Sequence, residues 1–250
     1  MIANRTALKS AERDCRDCPI RRQAICSRCQ DDELRILEKM KTYRTYSKGE
    51  MITYAGAPAS HVGTVVSGMV SISLGMEDGR RQIMGFLLPS DFVGRPGRHI
   101  AQYDVIAASE VLMCRFDRTA FERLVAESPT LGPRLLEMTM DELDAAREWM
   151  LLLGRKSARE KIATLLYMIA VKSKALSDEK ADEGFTFMLP LPRQTLADYL
   201  GLTIETVSRQ LTALRKDRVI SIQGQRQITI PDFHLLLDET GDDPSRNLLS

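Results

Sequence analysis

Residues 193–211, RQTLADYLGLTIETVSRQL, restrict the fold more than any other part of the chain. Leu196, Ala197 and Leu200 give a first short helix an apolar face, and Ala197 is small where a second helix must approach closely. Gly201 permits the tight turn between them. Thr203 can cap the second helix through its hydroxyl, and Val207, Leu211 and Leu214 form that helix's buried face. These offsets are those of a helix-turn-helix. The opposite face carries Glu205, Ser208, Arg209 and Thr212 at helical spacing, so they form one line. Such a line suits the major groove of DNA. An arginine can donate twice to guanine, a glutamate can accept from cytosine, and a serine can reach a base edge. Arg193 and Thr203 are expected to contact DNA at the entrance to the two helices. Residues 219–230 then alternate around Gly224, which predicts a β-hairpin wing with Arg226 available to a phosphate.

The rest of the 250-residue chain is long enough for one large or two small domains. Its 44% apolar and 28% charged content is ordinary globular usage and excludes a mostly disordered chain. No apolar run approaches the ~18 residues that span a bilayer, and residues 1–11 show no apolar signal region. No membrane association and a cytoplasmic location are therefore expected, where structural disulfides are uncommon. The overall charge of +1 is unevenly spread. Lys and Arg outnumber Asp and Glu seven to three in residues 1–30, are outnumbered 14 to 18 in 31–150, and lead 13 to nine in 151–234. Residues 235–250 carry one against four. An acidic middle followed by a basic segment suits a polyanion partner for the C-terminal part.

Residues 31–41 predict a short amphipathic helix with Leu34, Leu37 and Met40 on one side. From Thr42 to about Arg115 the texture changes to short β-rich runs at 51–54, 62–66, 69–74, 82–88, 105–108 and 111–115. Turn residues separate them, Asp78-Gly79 among them, which argues for an antiparallel sandwich or barrel. Residues 117–128 predict a helix. A longer one follows from Pro129 to Leu153 without a breaker, Pro133 lying in its first turn. Leu136, Thr139, Leu143, Ala146, Met150, Leu153 and Ser157 recur along it as a heptad seam. Leu135, Met138, Ala145, Trp149 and Leu152 form a second stripe beside it. A helix apolar on two faces needs two partners, so one stripe is expected on the β domain and the seam on a second copy of the chain. Residues 161–173 predict another helix, 177–184 a loop, and 189–192 an extended entry into the helix-turn-helix.

Four of the five cysteines crowd together as Cys15-x2-Cys18-x7-Cys26-x2-Cys29. Two CxxC pairs suit tetrahedral zinc, or a dithiol redox switch. Cys114, in VLMCRF near the end of the β region, reads on its own as a small buried thiol. His61, His99 and His234 are scattered without metal spacing, and no nucleophile–base pair or phosphate-binding glycine motif appears, so no enzyme activity is expected.

Taken together, the chain resembles the family of the cAMP receptor protein and the fumarate-and-nitrate-reduction regulator (CRP/FNR) over nearly its whole length. That resemblance implies an α+β architecture. An N-terminal antiparallel β-roll sensory domain, cupin-like and similar to cyclic-nucleotide-binding domains, precedes a long dimerisation helix and a C-terminal winged helix-turn-helix. The expected segments are a Cys-rich stretch at 1–30, the β-roll at 31–128, the dimer helix at 129–157, the DNA-binding domain at 158–236 and an acidic tail at 237–250. Ile204-Glu205-Thr206-Val207-Ser208-Arg209 resembles the recognition helix of the FNR branch. The resemblance implies that a homodimer reads TTGAT-N4-ATCAA-like palindromes in double-stranded DNA through Glu205, Ser208 and Arg209, with RNA polymerase as a further partner. Residues 91–100, DFVGRPGRHI, lack the Gly-Glu and Arg-Ser phosphate cradle of the cAMP branch, so no cyclic nucleotide is expected. The FNR branch holds an oxygen-labile [4Fe-4S] cluster on three N-terminal cysteines and one in the context of Cys114. The resemblance therefore implies Cys15, Cys18, Cys26 and Cys114 as ligands, with Cys29 as the alternative to Cys26 and zinc as the alternative metal. Arg21 and Arg22 would place positive charge beside the thiolates.

Overall fold

The computed structural model describes residues 14–75, 77, 81–175, 184–189, 191–224 and 226–242. Residues 1–11, the Asp78-Gly79 turn, residues 177–183, Pro190 and residues 243–250, all singled out in the sequence, lie outside these. The chain divides into two compact units, Met1–Asp144 and Ala145–Ser250.

In the first unit a turn-rich segment, from Asp14 to Gln30, buries Ile20, Ala24 and Ile25. It leads into α1 (Asp31–Met40), which buries Leu34 and Leu37 as the spacing predicts, and Glu33, which it does not. Eight strands follow: β1 (Thr42–Tyr46), β2 (Met51–Thr53), β3 (His61–Ser67), β4 (Val70–Gly75), β5 (Arg81–Leu87), β6 (Phe92–Val93), β7 (Asp104–Ala107) and β8 (Val111–Asp117). They form two four-stranded antiparallel sheets, ordered β1-β8-β3-β6 and β2-β7-β4-β5. Six match the β-rich runs of the sequence. β1, with its polar TYRTY pattern, and the two-residue β6 are additions. In the first sheet Tyr43 pairs with Cys114, Cys114 with Thr64, and Thr64 with Phe92. Directly opposed residues of antiparallel strands share a face, so these four side chains form one row. Gly63 permits the close approach of β3 to β8, because a Cβ there would lie 2.4 Å from the Cys114 carbonyl oxygen.

The helices α2 (Arg118–Glu127) and α3 (Leu131–Arg155) follow. The Ser128 hydroxyl accepts from the amides of Thr130 (3.2 Å) and Leu131 (3.0 Å), which caps the first turn of α3. Leu135 and Met138 pack against the core formed by Leu34, Leu37, Phe116, Phe121 and Leu131.

The second unit takes up the last part of α3, then α4 (Ala158–Ala175), β9 (Phe185–Met188), α5 (Arg193–Leu200), α6 (Ile204–Lys216), β10 (Ser221–Gln223), β11 (Gln227–Ile230) and α7 (Phe233–Asp238). The wing pairs as predicted, Ile222 opposite Ile228, and β9 adds a third strand to it. One expectation needs correction. The second stripe of α3 does not serve the β domain alone: Trp149 stacks on Tyr199 at 3.8 Å and Leu152 is buried in the C-terminal unit. Of the acidic tail expected at 237–250, the described residues reach Asp242. Thr240 is buried, Glu239 pairs with Arg159 at 2.5 Å, and Asp242 pairs with Lys156 at 2.5 Å. Glu239 and Asp242 thus serve as counter-charges to Arg159 in α4 and to Lys156 just before it.

Candidate metal centre and nucleic-acid interface

The N-terminal segment and the first sheet enclose one hollow. Cys15, Cys18, Cys26 and Cys114 line it, together with Tyr43 and Thr64 from the strands on either side of Cys114 and an apolar remainder that includes Leu37 and Phe116. Cys29 is not among the lining residues. It is buried nearby, where the Thr130 hydroxyl oxygen lies 3.8 Å from its Sγ. All five cysteines are free thiols. Among the described residues, no group of three or more His, Cys, Asp or Glu side chains closes on a single metal ion.

Burial pushes every one of these thiols above its ordinary titration range, Cys26 to about 12 and Cys114 upward as well. Unliganded, the cysteines are therefore neutral at pH 7, and any metal they take must displace their protons. Help for that lies beside the hollow, at Cys15. Lys41, nearly buried, donates to Cys15 Sγ at 3.4 Å and to Glu38 at 3.5 Å, and Glu38 in turn accepts from the Cys15 amide at 3.2 Å. The positive charge of Arg21 lies beside these thiols as expected and favours the thiolates of Cys18, Cys26 and Cys29 against the cost of burial. Its guanidinium donates to the carbonyls of Cys26 and, at 3.0 Å, of Cys29, so it braces the loop between the two cysteines.

One polar atom of the hollow has no partner. Thr64 is 2% exposed, and its Oγ1 makes no hydrogen bond among the described residues. A buried hydroxyl left unpaired costs about 1–3 kcal/mol, so such a group calls for an acceptor. Four soft thiols and an unpaired donor around an apolar hollow fit a sulfur-rich iron cluster as occupant.

The cysteine segment is also tied to the start of α3. Arg28 pairs with Glu137 at 2.6 Å, and Arg134 donates to the Gln23 carbonyl at 2.6 Å while pairing with Glu137 at 2.5 Å. Glu33 of α1 accepts from the Thr130 hydroxyl (2.7 Å), the Gln30 amide (2.8 Å) and the Ser128 hydroxyl. Sequence reasoning missed Glu33, Lys41, Tyr43, Thr64 and Arg134. Of these, only Thr64 leaves a trace, as the one polar residue in the alternating Val62, Thr64, Val66 of an inward-facing strand.

Along α3, the seam residues Leu136, Thr139, Leu143, Ala146 and Met150 are exposed, Met150 at 73%, and Leu153 is half-buried. In the second unit, Gly201 ends α5 in the left-handed region at φ +62°, and the Thr203 hydroxyl caps α6 by accepting from the Thr206 amide at 3.2 Å. Val207, Leu211 and Leu214 are buried beneath α6, while Glu205, Ser208, Arg209 and Thr212 are exposed along its outer face. Hydrogen bonds from its own amide and from Thr203 hold the Glu205 carboxyl below its ordinary range, which keeps it an ionised acceptor at neutral pH. Thr212 donates to the Ser208 carbonyl at 2.9 Å. Arg226 is exposed in the wing, and Arg193 is half-buried at the start of α5. The three histidines stay apart: His61 contacts Ser60, His99 contacts Arg118, and His234 is exposed on α7.

Known families and relatives agree with this division. The Crp-like helix-turn-helix domain matches residues 160–239, and the cyclic nucleotide-binding domain matches residues 43–128. The chain is 54% identical to the transcriptional activator protein FnrL of Cereibacter sphaeroides, over 94% of both chains. It is 40% identical to the nitrogen fixation regulation protein FixK of Bradyrhizobium diazoefficiens, over 83% of this chain and 86% of that one. Its fold is similar to that of FixK2 from Bradyrhizobium japonicum, with a TM-score of 0.73 and 32% identity over 81% of this chain and 98% of that one. Relatedness at this level along almost the entire length means that the chain belongs to the CRP/FNR family of transcription regulators.

Proposed function

We propose that the chain is an oxygen-responsive transcriptional activator whose Cys15, Cys18, Cys26 and Cys114 hold a [4Fe-4S] cluster. The observation that carries this reading is the hollow in which three N-terminal thiols and the sheet thiol Cys114 face one another, with Cys29 outside the lining. When bound, the cluster supplies an oxygen-labile cross-link between the N-terminal segment and the β-roll. Cys114 is the anchor on the rigid side, since its strand lies between β1 and β3. Cys15, Cys18 and Cys26 are the ligands from the N-terminal segment. Arg28, Arg134 and Glu33 couple that segment to the first turns of α3.

Leu136, Leu143, Ala146, Met150 and Leu153 then form the seam of a homodimer. A dimer offers two copies of α6 to two half-sites of a palindrome. Arg209, Glu205 and Ser208 read bases, and Thr212, Thr203, Arg193 and Arg226 support the contact with the duplex. RNA polymerase is the partner through which bound protein activates. The β-roll takes no cyclic nucleotide on this reading. Within residues 91–100 the Gly97 amide donates to Glu122 at 2.8 Å, and Arg118 is committed to Glu122 (2.6 Å), His99 (2.8 Å) and the Ala59 carbonyl (2.7 Å), so the amide and the arginine beside this loop are engaged by protein groups.

The test is binding to a TTGAT-N4-ATCAA duplex at fixed salt, under nitrogen and after exposure to air, with sedimentation in parallel. The expected result is a DNA-binding dimer under nitrogen and loss of both properties in air. Equal dimerisation and binding in both atmospheres would overturn the oxygen response.

A further inference from the structure

The cluster reading uses the thiols and leaves the rest of the hollow without a role. Its sheet side is the row Tyr43, Cys114, Thr64, in which Cys114 is flanked by a hydroxyl-bearing residue on each neighbouring strand. The two flanks differ. Tyr43 is half-buried, with the Lys41 ammonium 5.4 Å from its ring centre. Thr64 is 2% exposed, and its Oγ1 has no hydrogen-bond partner among the described residues. Two other buried hydroxyls, those of Ser73 and Ser90, are also unpartnered, but neither residue lines the hollow. An unpaired hydroxyl on a residue that lines a thiol-rich space is a donor beside soft acceptors. Thiolate and inorganic sulfide sulfurs accept hydrogen bonds, and such bonds from surrounding residues tune iron–sulfur centres.

We propose that Thr64 is a positioning residue of the metal centre, its hydroxyl donating a hydrogen bond to a sulfur acceptor in the hollow, either the Cys114 thiolate or a cluster sulfide. This rests on the cluster reading and adds a residue from outside the cysteine motifs. The role asks for a β-branched side chain that packs like valine while carrying a proton donor, which is what threonine offers between Val62 and Val66.

The experiment is resonance Raman spectroscopy of full-length protein purified under nitrogen, in H2O and in D2O, for wild type, Thr64→Val and Thr64→Ser. Wild type should show iron–sulfur stretching bands that shift in D2O. Thr64→Val, equal in shape, should load the cluster and lose part of that shift, whereas Thr64→Ser should keep it. Labelling with 34S-sulfide separates the two acceptors, because only sulfide bands move with the label. A D2O shift identical in wild type and Thr64→Val would overturn the proposal while leaving the cluster intact. A wild type without iron–sulfur bands would instead overturn the cluster reading. If Thr64→Val does not load, the serine variant decides: loading with the wild-type shift supports the hydroxyl, whereas failure of both variants to load shows that Thr64 holds the shape of the hollow and overturns the proposal.

Discussion

Replacing Glu33 by alanine should loosen the joint between the cysteine segment and α3. The carboxylate accepts from the Thr130 hydroxyl, the Gln30 amide and the Ser128 hydroxyl, and Ser128 in turn caps α3 through the Leu131 amide. Hydrogen bonds to a charged acceptor contribute roughly 1.5–3 kcal/mol each. Their full sum is not lost, because the variant no longer buries a carboxylate and Ser128 can turn to other partners. A net loss of about 2–4 kcal/mol follows, which at roughly 2–4 °C per kcal/mol is a fall in Tm of about 5–15 °C. Glu33→Gln keeps an acceptor and loses the charge, so its fall should be about half as large. The pH dependence has a definite sign. Burial alone would raise the Glu33 carboxyl, but bonds from Ser128, Gln30 and Thr130 outweigh it and hold the group below its usual 4.5. The stability from a lowered carboxyl is fully present above pH 4.5 and is lost as pH falls through the lower, folded value. The gap between wild type and Glu33→Gln should therefore be constant from pH 7 to about 5 and close on further acidification. Circular dichroism melts across that range measure it. A Glu33→Ala shift under about 2 °C, or a gap that widens in acid, would refute the joint as described.

Ala146 is exposed on the heptad seam, so Ala146→Glu should oppose its symmetry mate across a two-fold interface and shift the protein toward monomer; sedimentation of an unchanged dimer would move the interface to another face of α3. Arg209→Ala should lose two hydrogen bonds in each half-site, about 1–3 kcal/mol per site, and so at least tenfold in affinity under nitrogen. Glu205→Ala should lose discrimination between bases more than affinity, which binding to single-base variants of the palindrome at fixed salt would reveal; uniform weakening would remove Glu205 from the base readers.

What the sequence disclosed follows from the range of the interactions involved. The helix-turn-helix is local: Gly201, Thr203 and the spacing of Val207, Leu211 and Leu214 lie within fourteen residues, and the structure realises each in the role the pattern assigns. The strand runs were legible by composition, although β1 was too polar and the two-residue β6 and four-residue β9 too short to be seen. The hollow is different. Thr64 and Tyr43 meet Cys114 only through strand register, which turns and packing set across dozens of residues. Glu33 finds Ser128 and Thr130 across 95 and 97 residues, and no local pattern announces such a pair. In the acidic C-terminal stretch, composition does not say which carboxylates find partners; Glu239 and Asp242 answer the charges of Arg159 and Lys156.

The proposal that three N-terminal cysteines and Cys114 form one metal site is tested by iron and acid-labile sulfide in protein purified under nitrogen, compared between wild type, Cys29→Ser and Cys114→Ser. Wild type should carry roughly four iron and four sulfide per chain, Cys29→Ser nearly as much, and Cys114→Ser little. Colourless wild type carrying one zinc per chain, or a full cluster in Cys114→Ser, would contradict it.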